Sequence, residues 1–339
     1  MKVLVTGGTG DVGRAAVARL VEHGHEVRVI GRSEGITIEG ADYRACDIMD
    51  FEGLQKQVAG MDAVVHLAAI RHPSMAPGET MFRINCSGTF NVYRAAANAG
   101  VQRVVNASSI NALGYNFGTK DFELRYFPID EDHYTYTTDP YSFSKQIIEE
   151  VADYFWRREG ISGISMRLPA VYELTPEKTT MIRGFLARSR QACAELVAMP
   201  EPARSLRVQE IVDQFEALRA QRAWEYGHGK DFRLDVPDAP IMFGRSNFWA
   251  SIDARDSAQA IEKGLLVDYE GSHPVYVNDS HNWVGIPSET LLEVFFPEVE
   301  ERTHPLEGTE TLVSIDKVRA LIGYEPEYSI ENQIGGIAP

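Results

Sequence analysis

The chain is poor in cysteine and in positive charge. Its 339 residues include only three cysteines, Cys46, Cys86 and Cys193, scattered with no paired spacing. That pattern excludes a disulfide framework and indicates a reducing compartment. Lysine and arginine total 33 against 49 aspartates and glutamates, so the formal net charge is −16. Nucleic acids and anionic membrane surfaces bind cationic patches, so neither is expected as a partner.

Long apolar runs are also missing. No stretch of the sequence approaches the length that crosses a bilayer. No signal peptide is visible, because the first predicted strand begins at residue 2. The composition, 44% hydrophobic and 24% charged, is that of a globular protein. We therefore expect a soluble, cytoplasmic protein that binds small molecules and has one large or two smaller domains.

Glycine, by contrast, is concentrated near the start, in "MKVLVTGGTGDVG". The apolar run Lys2–Val5 predicts a buried strand, and the periodicity of Asp11–His23 predicts a helix. Glycines allow positive φ and close approach, and a helix N-terminus offers free N–H groups. A strand, a glycine turn and a helix in this order predict a pyrophosphate site for a dinucleotide, the alternative being a tight turn without a ligand. The glycines are Gly7, Gly8, Gly10 and Gly13.

Strand and helix patterns alternate through the first half of the chain, which predicts a doubly wound parallel α/β sheet. Strands are predicted at residues 2–5, 25–30, 61–67, 101–107, 161–168 and 274–278. Helices are predicted at residues 11–23, 51–58, 84–99, 141–158, 181–199 and 205–226.

The character of the sequence changes after about residue 172. We expect residues 1–172 to form the cofactor domain and residues 173–339 a smaller, mainly helical substrate-binding region. A helical insertion is predicted at 178–226. Segments near 248–256 and 274–278 are expected to return to the sheet and complete it.

A tyrosine and a lysine lie four residues apart in "DPYSFSKQ", so a helix would place Tyr141 and Lys145 on one face. A nearby ammonium group favours the phenolate and lowers a tyrosine pKa, which makes the tyrosine a general acid or base. Ser108 and Ser109 end the strand before "INALG", where the ligand crevice of such a sheet lies. Each feature alone is also compatible with an ordinary amphipathic helix or a strand-end turn.

Together these motifs resemble those of one known protein family. The chain resembles an extended short-chain dehydrogenase/reductase of the epimerase/dehydratase branch, and the resemblance implies a Rossmann-type fold. The motifs that carry it, in chain order, are the spaced glycines, "DI" at 47–48, "HLAA" at 66–69, "NCSGTFNV" from Asn85, "SSINALG", the Tyr141–Lys145 pair, "RLPAVY", "DARDSAQAI" and "LIGYEPEYSI".

The resemblance implies a role for each matching residue. Tyr141 would be the acid/base, Lys145 would bond the nicotinamide ribose, and Asn85 would support a water beside the lysine. Ser109 would be the catalytic serine rather than Ser108, because Gly114 stands five residues beyond it. Implied cofactor contacts are Gly7, Gly8, Thr9, Gly10, Asp11, Val12, Gly13, Asp47, Ile48, Leu67, Ala68, Ala69, Ala107, Tyr141, Lys145, Pro169 and Val171.

The first departure from the family pattern concerns the cofactor. Where NAD-preferring members carry an acidic residue at the end of the second strand, this chain has Gly31 followed by Arg32. A guanidinium suits a 2′-phosphate, so the sequence favours NADP over NAD. The alternative is an ordinary surface arginine.

A second departure concerns the substrate. Nucleotide-sugar epimerases of the family have asparagine and glycine where this chain has Ala170 and Glu173, which puts a diphosphate site in doubt. "SSIN" resembles the uronate dehydrogenases, although Ile110 intervenes before Asn111. Expected substrate contacts are Arg71, Ser109, Asn111 and Tyr141.

Several other residues have weaker interpretations. His72, next to Arg71, faces the same predicted crevice, and Arg183 is a candidate carboxylate ligand, though a solvated helix face explains it better. His228 and Asp231 form no metal-ligand cluster, so no metal is expected.

The sequence therefore predicts an NADP- or NAD-dependent oxidoreductase acting on a secondary alcohol or ketone of a carbohydrate or sugar acid. One alternative is a sugar epimerase, with or without a nucleotide on the sugar, that uses the same pair and keeps its cofactor. Another is a non-catalytic NADP sensor. The helices at 84–99 and 141–158 form a dimer bundle in the family, so the resemblance implies a homodimer.

Overall fold

The computed structural model describes residues 1–222, 224–225 and 236–330. Its strands are β1 (Lys2–Thr6), β2 (Glu26–Gly31), β3 (Ala41–Ala45), β4 (Ala63–His66), β5 (Val104–Ala107), β6 (Tyr126–Phe127), β7 (Gly163–Arg167), β8 (Ala170–Tyr172), β9 (Ser251–Asp253), β10 (Ser272–Tyr276) and β11 (Glu301–Arg302).

The α-helices are α1 (Asp11–Glu22), α2 (Phe51–Val58), α3 (Gly78–Phe82), α4 (Gly88–Asn98), α5 (Pro140–Glu159), α6 (Pro176–Val197), α7 (Ala203–Ala220), α8 (Ala239–Ser246), α9 (Ala254–Leu266), α10 (Ser288–Phe295) and α11 (Asp316–Ile322). One π-helical turn spans Arg83–Ser87, and 3₁₀ turns span Pro73–Met75 and Ile110–Leu113.

The main sheet has seven parallel strands in the order β10-β7-β5-β4-β1-β2-β3. Side chains alternate between its two faces, as the pleat requires. Val3 and Val5 of β1 pack with α1 and α9, whereas Leu4 packs with α2, α4 and α5. The doubly wound α/β sheet is confirmed, and its layers place the carboxyl ends of all seven strands at one edge.

The observed elements correct the sequence prediction at two strands. The expectation that residues near 248–256 complete the main sheet is wrong, because β9 pairs with β8 in a separate two-stranded sheet, while β10 does join the main sheet. β3 was not predicted, because "ADYRA" is a mostly exposed edge strand that lacks an apolar run.

A third apolar core lies outside the main sheet and holds the insertion helices. Phe215 of α7, Met242 of α8 and Trp249 belong to it. Asp121 ties these helices to the loop after β5, because it pairs with the fully buried Arg219 of α7 and with Arg245 of α8. The proposed division at residue 172 remains a prediction.

The turn between β1 and α1 is packed backbone to backbone. A Cβ added at Gly13 would lie 2.6 Å from Gly8 Cα, which no real side chain tolerates. A Cβ at Gly10 would find only Gly7 O, at 3.5 Å. The two glycines therefore have different roles, close packing for Gly13 and an open face for Gly10.

We expect Gly13→Ala to lower the free energy of unfolding by about 1–3 kcal/mol, because the added methyl group forces the turn apart. Gly10→Ala is the matched control and should unfold close to the wild-type temperature. Thermal unfolding followed by circular dichroism measures both. Equal midpoints for the two variants would contradict the packing argument.

Candidate active site

A cleft of about 300 Å³ opens at the carboxyl ends of the central strands. It is lined by Gly7, Gly10, Asp11, Val12, Gly13, Leu67, Ala69, Arg71, Ala107, Ser108, Ser109, Asn111, Asn116, Phe117, Tyr141, Lys145, Leu168, Pro169, Ala170, Val171, Phe243 and Asn247. The spaced glycines and the Tyr141–Lys145 pair, which are remote in sequence, thus share one cleft.

The glycine turn forms one wall of this cleft. Gly7 has φ +73°, and a Cβ there would lie 2.8 Å from the backbone nitrogen of Ala68. Gly10 is the N-cap of α1 and no side chain caps that helix. The wall therefore presents backbone and the positive end of a helix dipole to any ligand.

Tyr141 lies in the first turn of α5, opposite the glycine wall. Asp139 begins the helix by accepting hydrogen bonds from the backbone nitrogens of Tyr141 and Ser142, at 3.0 and 2.9 Å. Burial raises the pKa of Tyr141 to about 12, against the lowering effect of a hydrogen bond with Ser109 and of the Arg71 charge. The tyrosine is protonated at neutral pH in the ligand-free protein.

Lys145 lies one turn further along α5 and is buried. Its Nζ donates to the carbonyl oxygen of Ala107 at 2.7 Å and lies 5.8 Å from the centroid of the Tyr141 ring. Burial lowers its pKa to about 8, while the charge of Glu149 opposes that change. In the ligand-free protein burial outweighs the neighbouring charges on Tyr141. The expected lowering of its pKa by Lys145 and a bound oxidised nicotinamide remains a prediction.

Ser109 and Asn111 form the floor between these groups. Ser109 Oγ accepts from the backbone nitrogen and from Nδ2 of Asn111, at 3.1 and 3.2 Å. Asn111 Oδ1 is buried and has no hydrogen-bond partner within the described part of the chain. A buried acceptor of this kind can take a hydrogen bond from a water or from a ligand donor. Ser108 also lines the cleft, but its hydroxyl donates to Glu149 at 2.5 Å.

Asn85 lies in the π-helical turn and fixes the loop after β4. Its side chain accepts from Ile70 N at 2.7 Å and donates to Ile70 O and Ser144 Oγ, each at 2.9 Å. Both amide hydrogens are thus used. Asn85 and Lys145 line one small internal cavity. The expected water at this position remains a prediction.

A hydrogen-bond chain through a buried histidine joins the glycine turn to Asn85. Thr6 Oγ1 accepts from the backbone nitrogens of Leu67 and Ala68, so its hydroxyl hydrogen points to His66 Nδ1, at 2.7 Å. His66 Nε2 reaches Thr89 Oγ1 at 2.9 Å, and Thr89 donates to Asn85 O. Burial lowers the pKa of His66 to about 3, so the ring is neutral.

The remaining residues that were predicted to contact the cofactor do not line the cleft. Gly8 packs so closely against Val29 that a Cβ there would lie 2.6 Å from the valine Cγ1, and Ile48 is buried between α2 and α4. Ala68 lines the small internal cavity instead of the cleft. Thr9, Arg32 and Asp47 are exposed and are not among the residues that line the cleft.

An ion-pair cluster borders the glycine turn. Arg14 pairs with Asp11 and with Glu173, each at 2.7 Å. Lys178 of α6 pairs with the same two carboxylates, at 3.2 and 3.0 Å. Arg71 reaches Asp11 at 3.4 Å, which leaves its exposed guanidinium beside the cleft. Glu173 thus links α1 to α6.

Sequence reasoning missed five lining residues: Asn116, Phe117, Leu168, Phe243 and Asn247. The Phe117 ring contacts the Tyr141 ring edge to face, with centroids 5.8 Å apart. Asn247 directly precedes Phe248 and Trp249, whose φ values of 56° and 48° are unusual for such residues. The local sequence pattern does not predict this turn.

The residues with weaker interpretations in the sequence have different positions in the structure. His72 caps a 3₁₀ turn, and burial lowers its pKa. Arg183 is exposed on α6. His228 and Asp231 lie outside the described residues. Within the ranges that the structure covers, no three acidic, histidine or cysteine side chains group as a metal site, and no helix is long and apolar enough to cross a membrane.

Two characterised relatives align with the chain. It is 27% identical to uronate dehydrogenase from Pseudomonas syringae pv. tomato over 188 residues, 55% of this chain. It is 31% identical to L-arabinose 1-dehydrogenase (NAD(P)(+)) from Haloferax volcanii over 173 residues, 49% of this chain. The alignments span 65% and 66% of those proteins, just under two thirds of their lengths.

Solved structures share the fold. UDP-glucose 4-epimerase from Thermotoga maritima, in complex with UDP-glucose, superposes with a TM-score of 0.62 at 18% identity. The match covers 98% of this chain and 96% of the epimerase. A sequence model of the NAD dependent epimerase/dehydratase family matches residues 3–208, well over half of the chain. The protein belongs to the NAD dependent epimerase/dehydratase family.

Proposed function

We propose that the protein is an NAD(P)-dependent dehydrogenase that interconverts a secondary alcohol and a ketone on a sugar or sugar acid. The observation that carries the proposal is the meeting of Tyr141, Ser109 and the glycine turn in one cleft. The named activities of the two dehydrogenase relatives support the substrate class. Residues 1–172 would hold the cofactor, and the following region would hold the substrate.

The residues present fit a dinucleotide. The turn has room for a pyrophosphate because Gly10 carries no side chain into the cleft, and the uncapped N-terminus of α1 faces it. When bound, the nicotinamide supplies the hydride acceptor or donor. Lys145, Pro169 and Val171 line the cleft. Lys145 would bond the ribose hydroxyls, and Pro169 and Val171 would lie on the nicotinamide side.

The chain's own residues accept the proton that leaves the substrate hydroxyl. In the oxidative direction Tyr141 takes the proton of the substrate hydroxyl, while Ser109 and Asn111 hold the oxygen atoms of the substrate. The ligand-free pKa of about 12 must fall for this step, and positive charge brought into the cleft lowers it. Phe117 shields the tyrosine ring from one side.

The end of β2 supports NADP as the preferred form. A Cβ at Gly31 would lie 2.8 Å from the hydroxyl oxygen of Tyr43, which donates to Ser33 O at 2.7 Å. An acidic side chain at position 31 therefore requires Tyr43 to move. Arg32 is exposed at the next position, where its guanidinium can meet a 2′-phosphate.

The remaining predictions are carried forward as proposals. An epimerase would use the same residues without net consumption of cofactor, and a sensor would show binding without turnover. A homodimer is supported by exposed aromatic rings on the face of α3, α4 and α5, namely Phe82, Phe90 and Phe143. We also propose a cytoplasmic location, because the cysteines are free thiols.

The first test is turnover. Incubation with NADP or NAD and a panel of free sugars, uronic acids, aldonates and nucleotide sugars should give stoichiometric reduced cofactor at 340 nm with a free sugar or sugar acid. Tyr141→Phe should lower kcat at least about 100-fold, because it removes the acid/base group. Its cofactor Kd should change little.

The matched control is Tyr154→Phe, a tyrosine on the same helix that pairs with Arg158 away from the cleft. Sugar isomers interconverting without net absorbance change would establish the epimerase instead. Full activity of Tyr141→Phe would remove the proposed role of the tyrosine.

The pH profile tests Ser109. Its hydrogen bond lowers the pKa of Tyr141, so Ser109→Ala should raise that pKa. Oxidation needs the deprotonated tyrosine, so the loss of kcat/KM should be about tenfold larger at pH 7 than at high pH, where only the lost contact of Ser109 with the substrate remains. Lys145, whose pKa is about 8, titrates in both proteins and cancels in the comparison. Ser109→Thr keeps the hydroxyl and should keep the profile. An equal loss at every pH would contradict the coupling.

Cofactor choice tests Arg32. Arg32→Ala should raise the Kd for NADP about tenfold to 100-fold and leave the Kd for NAD within about twofold, because a charge-assisted hydrogen bond is lost only with the 2′-phosphate. Arg44→Ala is the control, an exposed arginine on β3 that pairs with Asp42. Titration calorimetry measures both, and equal weakening of NADP and NAD would argue against the assignment.

A further inference from the structure

A second cavity, of about 340 Å³, adjoins the active-site cleft. It lies between α6, α8 and the small sheet of β8 and β9. Its lining is Ala170, Val171, Tyr172, Met181, Ile182, Phe185, Leu186, Arg188, Phe243, Ser251, Trp283 and Ile330. We call it the apolar cavity.

The walls of the apolar cavity are built from aromatic and aliphatic side chains. The Phe185 ring lies 5.8 Å from the Phe243 ring and 5.8 Å from the Trp283 ring, between centroids. Met181, 69% exposed, stands at the rim. Arg188 brings the one charge among the lining residues and is exposed. Such a lining favours an uncharged apolar group, because a phosphate buried there would lose its hydration without a matching set of donors.

The apolar cavity shares part of its wall with the cleft. Ala170, Val171 and Phe243 line both. A molecule whose hydroxyl lies at Tyr141 would reach the apolar cavity past Phe243 with its other end. Asn111 and Arg71 line the cleft and are not among the residues that line the apolar cavity.

We propose, on the basis of the proposed function, that the substrate carries an alkyl or aryl substituent seated in the apolar cavity. Its carbohydrate or sugar-acid part lies at Ser109, Asn111 and Tyr141. Phe243 separates the two halves of the ligand. The site thus selects a substituted sugar over a free one.

Calorimetric titration with methyl, butyl, hexyl and octyl β-D-glucopyranoside, each below its micelle concentration, tests the proposal. The Kd should fall about threefold to fourfold for each added methylene, in line with the burial of apolar surface, until the apolar cavity is full. Tryptophan fluorescence, with Trp283 in the wall, follows the same titration independently.

A pair of matched variants locates the effect. Met181→Lys places a charge at the rim and should reduce the gain per methylene to less than about 1.5-fold. Leu206→Lys, at a position on α7 that is 65% exposed, should keep the wild-type gain. Ile182→Trp fills the apolar cavity and should abolish the preference for hexyl over methyl while cofactor binding stays unchanged.

The proposal is overturned if affinity does not depend on alkyl length, if Met181→Lys and Leu206→Lys behave alike, or if UDP displaces the octyl glycoside competitively. These titrations need no turnover. A chain-length effect together with no turnover of any free sugar, sugar acid or glycoside in the panel would leave the apolar cavity established and refute the dehydrogenase. Turnover of free sugars without a chain-length effect would support the dehydrogenase and refute the apolar cavity as a substrate site.

Discussion

The close approach of the glycine turn to the end of β4 is the contact on which the site depends. Gly7 leaves no room for a Cβ against Ala68, and Gly13 leaves none against Gly8. The Thr6–His66–Thr89 chain crosses the same junction and ends at the backbone of Asn85. Because the imidazole is neutral and both its nitrogens are engaged, the junction is held by directional bonds without a buried charge.

Burial affects the pKa values of Tyr141 and Lys145 more than their charged neighbours do. Burial raises the pKa of Tyr141 and lowers that of Lys145, so both groups are shifted toward their neutral forms. The ion pair of Glu149 and Arg167, with its shortest contact at 2.9 Å, lies directly behind them and is itself buried. The ligand-free cleft is therefore a low-dielectric site in which an incoming charge acts strongly.

The sheet was predictable from sequence because parallel strands and their helices leave a strong periodic pattern. The elements α1, α2 and α5 lie within a few residues of their predicted bounds, and Asp139 and Gly160 cap α5 as expected of their types. The motif residues Gly10, Tyr141 and Lys145 were predicted for the same reason, since each sits at a fixed place on a regular element. Family resemblance supplied their roles.

Other features leave no local signal. β3 is an exposed edge strand, and the pairing of β9 with β8 depends on contacts made across the fold. Asn116 and Asn247 reach the cleft from irregular turns, and the apolar cavity arises only when α6, α8 and Trp283 meet. Whether the pKa of Tyr141 is raised or lowered depends on how deeply the folded chain buries the side chain. Composition and spacing do not predict that burial.

The two insertion helices are attached to the rest of the molecule by bonds of different strength. α7 is held through the buried Arg219 and Asp121, whereas the start of α6 is held to α1 through Lys178, which is 37% exposed, and Glu173. Exposed pairs of this kind contribute at most about 1 kcal/mol each. Substitutions at the start of α6 can therefore change how this helix meets α1, while the buried pair of Arg219 and Asp121 holds α7 in place.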